Sequence, residues 1–100
     1  MKRIKHLVED IREELEGAEH YAKLALKCKD ESTSDASIYA EMSRQEMDHV
    51  NKLHTMAVRL IEKQRQSGAA PPAAMQAVWD WEHENMIERL SRIKHMLSMV

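Results

Sequence analysis

Residues 67–72 read Ser-Gly-Ala-Ala-Pro-Pro, and they interrupt a chain that otherwise carries a helical pattern almost throughout. Gly suits the left-handed position after a helix C-terminus, and a proline pair cannot continue a hydrogen-bond ladder. The stretch therefore ends one helix, expected over about residues 34–66, and opens another, expected over about residues 72–100. The first would be about 45–50 Å long at 1.5 Å per residue. The joint of roughly six residues reaches at most about 20 Å at 3.3–3.6 Å per residue. It cannot return the chain to the start of the long helix, so the last helix must run back along it.

Working outward, Asp30-Glu31-Ser32-Thr33-Ser34 is a second break, made of helix-capping residues. Before it, a first helix is expected over about residues 2–29. Its stripe is Ile4, Leu7, Ile11, Glu14, Ala18, Tyr21 and Ala25, alternating steps of three and four that line one face. The second helix carries Ile38 or Tyr39, then Met42, Glu46, His49, Leu53, Met56 and Leu60, and the third carries Trp79, His83, Met86, Leu90, Ile93, Leu97 and Val100. The composition agrees: two Gly, two Pro, no Phe, eight Met, 43% apolar and 32% charged residues suit amphipathic helices and argue against a sheet. The expected fold is all-α, an up-down-up antiparallel three-helix bundle in one domain spanning residues 1–100.

The stripes are not wholly apolar. Glu14 interrupts the first, Glu46 and His49 the second, and His83 the third. Counted from the first turn, Glu14 and Glu46 both lie about 20 Å along their helices, so they face each other at one level. A carboxylate in a core is costly unless it is paired or bound to a cation. Two carboxylates and an imidazole at one height compete unless positive charge sits among them, and Glu-x-x-His on a helix aims an oxygen and a nitrogen ligand in one direction. Glu14, Glu46 and His49 are therefore expected to hold a divalent metal. His83 is a further candidate ligand, with a hydrogen-bonded core histidine as the plainer alternative.

Glu46-Met-Asp-His49 resembles the Glu-x-x-His of the ferritin-like superfamily, and Glu14-Leu-Glu-Gly-Ala-Glu-His-Tyr21 resembles its first helix, in which a ligand Glu precedes a Tyr by seven residues. The separation of Glu14 from Glu46 is similar to that in rubrerythrins, and the likeness covers roughly residues 4–62. It implies a carboxylate-bridged di-iron site, with iron as the metal or manganese or zinc in its place, and ferroxidase or other oxidoreductase activity. The family's complete bundle has four helices and a second Glu-x-x-His. This chain offers three helices and Asp80-Trp-Glu-His83, where Asp80 lies off the stripe. By motif, Glu82-His83-Glu84 would make Glu84 the third-helix ligand; by stripe position it would be His83, and the stripe is preferred. The half-length encapsulated ferritins complete their site across a two-fold interface. That implies a homodimer, or a higher oligomer of two-fold dimers, in which each residue is supplied twice.

The remaining residues read more simply. His6, His20, His54 and His95 fall off the stripes and are expected at the surface. Met42, Met56, Met86 and Met96 suit irregular gaps in a core or interface. Trp79 and Trp81 lie on opposite sides of the third helix, so one of them is expected to be exposed. Tyr21 and Tyr39 would hydrogen-bond an acceptor when buried, and Cys28 extends the first stripe as a small apolar residue. The formal charge of −2, from 15 basic and 17 acidic side chains without a basic block, gives no nucleic-acid footprint. No stretch reaches the roughly 20 apolar residues of a membrane span. The N-terminus turns acidic where a leader would turn apolar, and one cysteine fits a reducing compartment, so a cytoplasmic location is expected. Nucleotide loops, Ser triads and Cys/His pairs are absent from the sequence. The competing function is a non-enzymatic three-helix interaction module, with its stripe acids paired to Lys or Arg and its Trp-bearing helix serving a partner.

Overall fold

The computed structural model describes residues 2–68 and 73–100, and all regular structure among them is helical: α1 (Lys2–Cys28), α2 (Thr33–Gln66) and α3 (Ala73–Ser98). The expected start of the third helix at Pro72 and most of the Ser67–Pro72 joint lie outside the described residues. The molecule measures 56 × 18 × 17 Å. Its length is close to the roughly 51 Å that the 34 residues of α2 span at 1.5 Å each.

Local chemistry sets the ends of α2. The Ser32 hydroxyl accepts the Asp35 N–H at 3.2 Å, and the N–H groups of Glu31 and Ser32 both donate to the Cys28 carbonyl, so one short turn closes α1 and caps α2. At the far end Gly68 takes φ 79° and its N–H donates to the Arg65 carbonyl at 3.2 Å, the left-handed cap that a side chain would disfavour.

The pairing between helices fixes their directions. Arg12 pairs with Glu82, Glu19 with Arg89, and Lys29 Nζ donates to the Met99 carbonyl at 3.0 Å, each pair 70 residues apart. A constant offset means that α1 and α3 run parallel. Between α1 and α2 the residue numbers of contacting pairs add to nearly the same value each time: Glu14 with His49, Ala18 with Ser43, Tyr21 with Tyr39. Those helices are antiparallel. The up-down-up order follows, with one correction to where the third helix lies. α3 lies closer to α1 than to α2, which it meets through His54 stacked on Trp79 and His83 and through the Arg65–Gln76 hydrogen bond.

α1 therefore carries the core for two neighbours. Ile4, Leu7, Val8, Ile11, Leu15, Ala18, Ala22 and Ala25 are all buried, a wider arc than one partner needs. From α3 come Trp79, Met86, Leu90, Ile93 and Leu97; Val100, expected to extend that stripe, is exposed beyond the end of the helix. On α2 the core face is Ala36, Ala40, Ser43, Met47, Val50, Ala57 and Ile61. That corrects the expected stripe, which lies one residue, or about 100°, around the helix. The cause is residue size. Alanines and Ser43 let the two backbones close on one another, and Ser43 donates a buried 2.7 Å hydrogen bond to the Ala18 carbonyl. The bulkier Tyr39, Met42, Leu53 and Leu60 are left half-buried along the flank. No helix among the described residues is long and apolar enough to cross a membrane.

The two α1–α3 ion pairs have opposite polarity, Arg to Glu and then Glu to Arg, seven residues further along both helices. A slip of one heptad would set Arg12 against Arg89 or Glu19 against Glu82, so the charges select this register. Glu19→Arg is expected to lower stability by about 0.5–1 kcal/mol, and Glu19→Arg combined with Arg89→Glu to restore it. Urea midpoints at low and high salt check this; equal midpoints for the single and double variants would remove the pair from any role in register.

Candidate metal centre

Glu14 stands at the edge of the α1 arc, one turn before Ala18, whose carbonyl accepts the Ser43 hydrogen bond from α2. Glu46 and His49 follow one another by one turn on the outer flank of α2, so their side chains project the same way. The antiparallel register brings all three level. His49 Nδ1 lies 3.3 Å from Glu14 Oε2 and 3.9 Å from Glu46 Oε2. One ligand atom from each of the three residues falls within 4.8 Å of the others. The sequence placed these residues at one height; the structure brings their ligand atoms together.

This cluster could close on a cation with little movement. Oxygen and nitrogen ligands about 2.0–2.2 Å from a transition metal stand about 3.0–3.4 Å apart in octahedral or tetrahedral arrangements. Two carboxylates and one imidazole suit iron, manganese or zinc, and a metal would take the anionic and neutral forms of these groups. The ion pairs made by Glu14 and Glu46 among the described residues are both with His49; neither acid meets a Lys or Arg. The burial differs from expectation. The side chains of Glu14, Glu46 and His49 are 31%, 27% and 50% exposed, because Glu14 stands at the edge of the α1 arc and the α2 face that bears Glu46 and His49 is the flank and not the core. They form an open half-site on the side of α1 and α2.

His83 is placed elsewhere. Its ring stacks on His54 of α2 at a centroid separation of 4.8 Å and on Trp79 of α3 at 5.9 Å, and His54 in turn stacks on Trp79 at 5.8 Å. These rings fill the space between α2 and α3, and His83 is not a member of the Glu14–Glu46–His49 group. Glu84 and Asp80 are exposed and also stand outside it. His54 corrects a second expectation. It occupies the position in the true core stripe of α2 between Val50 and Ala57, it is half-buried, and its Nε2 is buried without a hydrogen-bond partner. His6, His20 and His95 are exposed. Trp79 is buried and Trp81 exposed, while Tyr21 and Tyr39 stack at 6.4 Å on the same flank as the acids. Of the methionines, Met86 is buried and Met56 is exposed.

Compared with protein-family models, with curated proteins and with solved structures, the chain matches none.

Burial, and after it the charge of neighbouring His83, lowers the pKa of His54 from its usual 6.5. A folded-state pKa below the unfolded value means that the unfolded chain binds the proton more readily. Stability from this group is therefore complete above about pH 6.5 and is lost as pH falls from there through the folded pKa. His54→Phe, which keeps a stacking ring, is expected to flatten the decline in urea midpoint between about pH 7.5 and 5.5 relative to the wild type. An unchanged slope would show that His54 contributes nothing to it.

Proposed function

We propose that this protein is a ferritin-like metal-binding protein that holds iron, with manganese or zinc as alternative ions, through Glu14, Glu46 and His49. The observation that supports this most directly is the convergence of two carboxylates and an imidazole from two helices within 4.8 Å. Paired structural acids would instead be expected to meet Lys or Arg, and among the described residues these pair with His49 alone.

Three ligands cannot complete the coordination of two irons, and the flank that bears them is apolar on either side. Ile38 and Met56 are 56% and 44% exposed, and Tyr39, Met42, Leu53 and Leu60 lie half-buried along the same flank. Two copies of the α1–α2 hairpin joined across a two-fold axis would bury this stripe and double the ligand set to four carboxylates and two imidazoles. In this reading α3 lies outside the shared bundle, packed on α1 and on the His54 side of α2. Glu14 and Glu46 neutralise cationic charge, and His49 adds a neutral nitrogen donor. Bound iron would supply the redox chemistry of a ferroxidase, oxidation of Fe(II) by oxygen or peroxide. A cytoplasmic location belongs to the same reading.

The second reading, a non-enzymatic interaction module, is favoured by one observation: Trp81 stands 63% exposed on the outer side of α3. The same experiment separates the two. Anaerobic loading with Fe(II) followed by metal counting is expected to find iron bound by the wild type and none by Glu46→Ala, with circular dichroism nearly unchanged because Glu46 lies on a flank. Sedimentation of the loaded wild type is expected to show dimers or larger two-fold assemblies. Full iron content in Glu46→Ala would reject the site and leave the interaction module.

A further inference from the structure

Gly17 stands in the middle of α1, ten residues or more from either end, where a glycine costs a helix about 1 kcal/mol relative to alanine. It makes no turn and has no positive φ. Conformational freedom therefore does not explain it. Its surroundings do. A Cβ built on Gly17 would lie 3.4 Å from Glu46 Oε2, 3.5 Å from Glu46 Cδ and 3.7 Å from Glu46 Cγ. All three nearest atoms belong to the outer end of that one side chain.

We infer that Gly17 is a positioning residue for the metal centre: the bare backbone at this point is the seat on which the Glu46 carboxylate rests, which holds its oxygen at the level of Glu14 and His49. The inference rests on the reading of Glu46 as a ligand. Glu14 and Gly17 are one turn apart on α1, so the carboxylate of Glu46 crosses from α2 onto α1 directly beside the Glu14 side chain. The Oε2 atom that lies 3.9 Å from His49 Nδ1 is also the atom nearest the Gly17 seat. A methyl group at 17 would touch the carboxylate in ordinary van der Waals contact. A branched side chain would carry atoms beyond that Cβ into the space the carboxylate fills, and Glu46 would have to turn away from its two partners.

The seat and the helix make opposite demands, which gives a test that general damage cannot imitate. Gly17→Ala and Gly17→Val both replace glycine with a better helix former, so neither should reduce the helicity or stability of the metal-free protein, and the alanine variant should melt about 4–8 °C higher. Equilibrium dialysis against Co(II) is expected to show Gly17→Val binding about 10–100-fold more weakly than the wild type, the size of effect seen when a ligand loses its support. Gly17→Ala is expected to fall between them. A valine variant that binds Co(II) as tightly as the wild type would overturn the role of Gly17 while leaving the metal centre intact. A wild type that binds no Co(II) and no Fe(II) would overturn both.

Discussion

Helix α1 has to present one surface to two neighbours, and most of the structure follows from how it divides that surface. Its buried arc includes Ala18, which faces Ser43 of α2, and Val8, which lies beside Trp79 of α3. Ion pairs Arg12–Glu82 and Glu19–Arg89 close the α3 side. Their counterpart on the α2 side is Glu14, whose ion pair among the described residues is with His49. The two edges of one helix are thus built from the same residue types to different ends: on one edge carboxylates are paired with guanidinium groups, and on the other two carboxylates share a single imidazole.

That asymmetry changes the physical case for a metal. A carboxylate sealed in a core would need a cation to offset its desolvation. Glu14 and Glu46, about a third exposed, are partly hydrated, which reduces that penalty. What supports a metal here is geometric. Long side chains on a helix flank are free to extend into water, and the entropy of holding two glutamates and a histidine together opposes their convergence. Gly17 lowers that opposition by offering Glu46 a surface to lie on, at a cost to α1 that nothing in the packing of the core requires.

The sequence made the helices and their order legible because Gly, Pro and capping residues punctuate it, and reach along the joint limits what a short connection can do. It also made the level of Glu14, Glu46 and His49 legible, since height depends only on counting residues from the turn. Rotation was harder to read. Two stripes run along α2 one residue apart, and the one with Tyr39, Met42, Leu53 and Leu60 holds more apolar bulk than the one with Ala36, Ala40, Ser43 and Ala57. Ranking by bulk selects the wrong face, because close packing of two helices favours small residues and leaves large ones at the rim. The same 100° displaced His54, which sits in the true stripe, and His83 stacks on it there, outside the group of acids. A count of alanines facing one another across the turn, Ala18, Ala22 and Ala25 against Ala36 and Ala40, was the available signal for the close seam.

The bulkier stripe is then left without a use inside one chain. A helix of 34 residues that buries only alanines, a serine, Met47, Val50 and Ile61 against its neighbour gains little apolar burial for its length. Exposed Ile38 and Met56 belong to the same stripe, and Glu46 and His49 interrupt it near the middle. A surface intended for water would replace the flanking residues with polar ones; a surface intended for a core would not keep two ionisable groups at its centre. Both features suit a face that is covered by a self-complementary partner and holds a cation between the two halves. On the proposed reading, the bulkier stripe of α2 would be half of a second core, closed by a second copy of the chain.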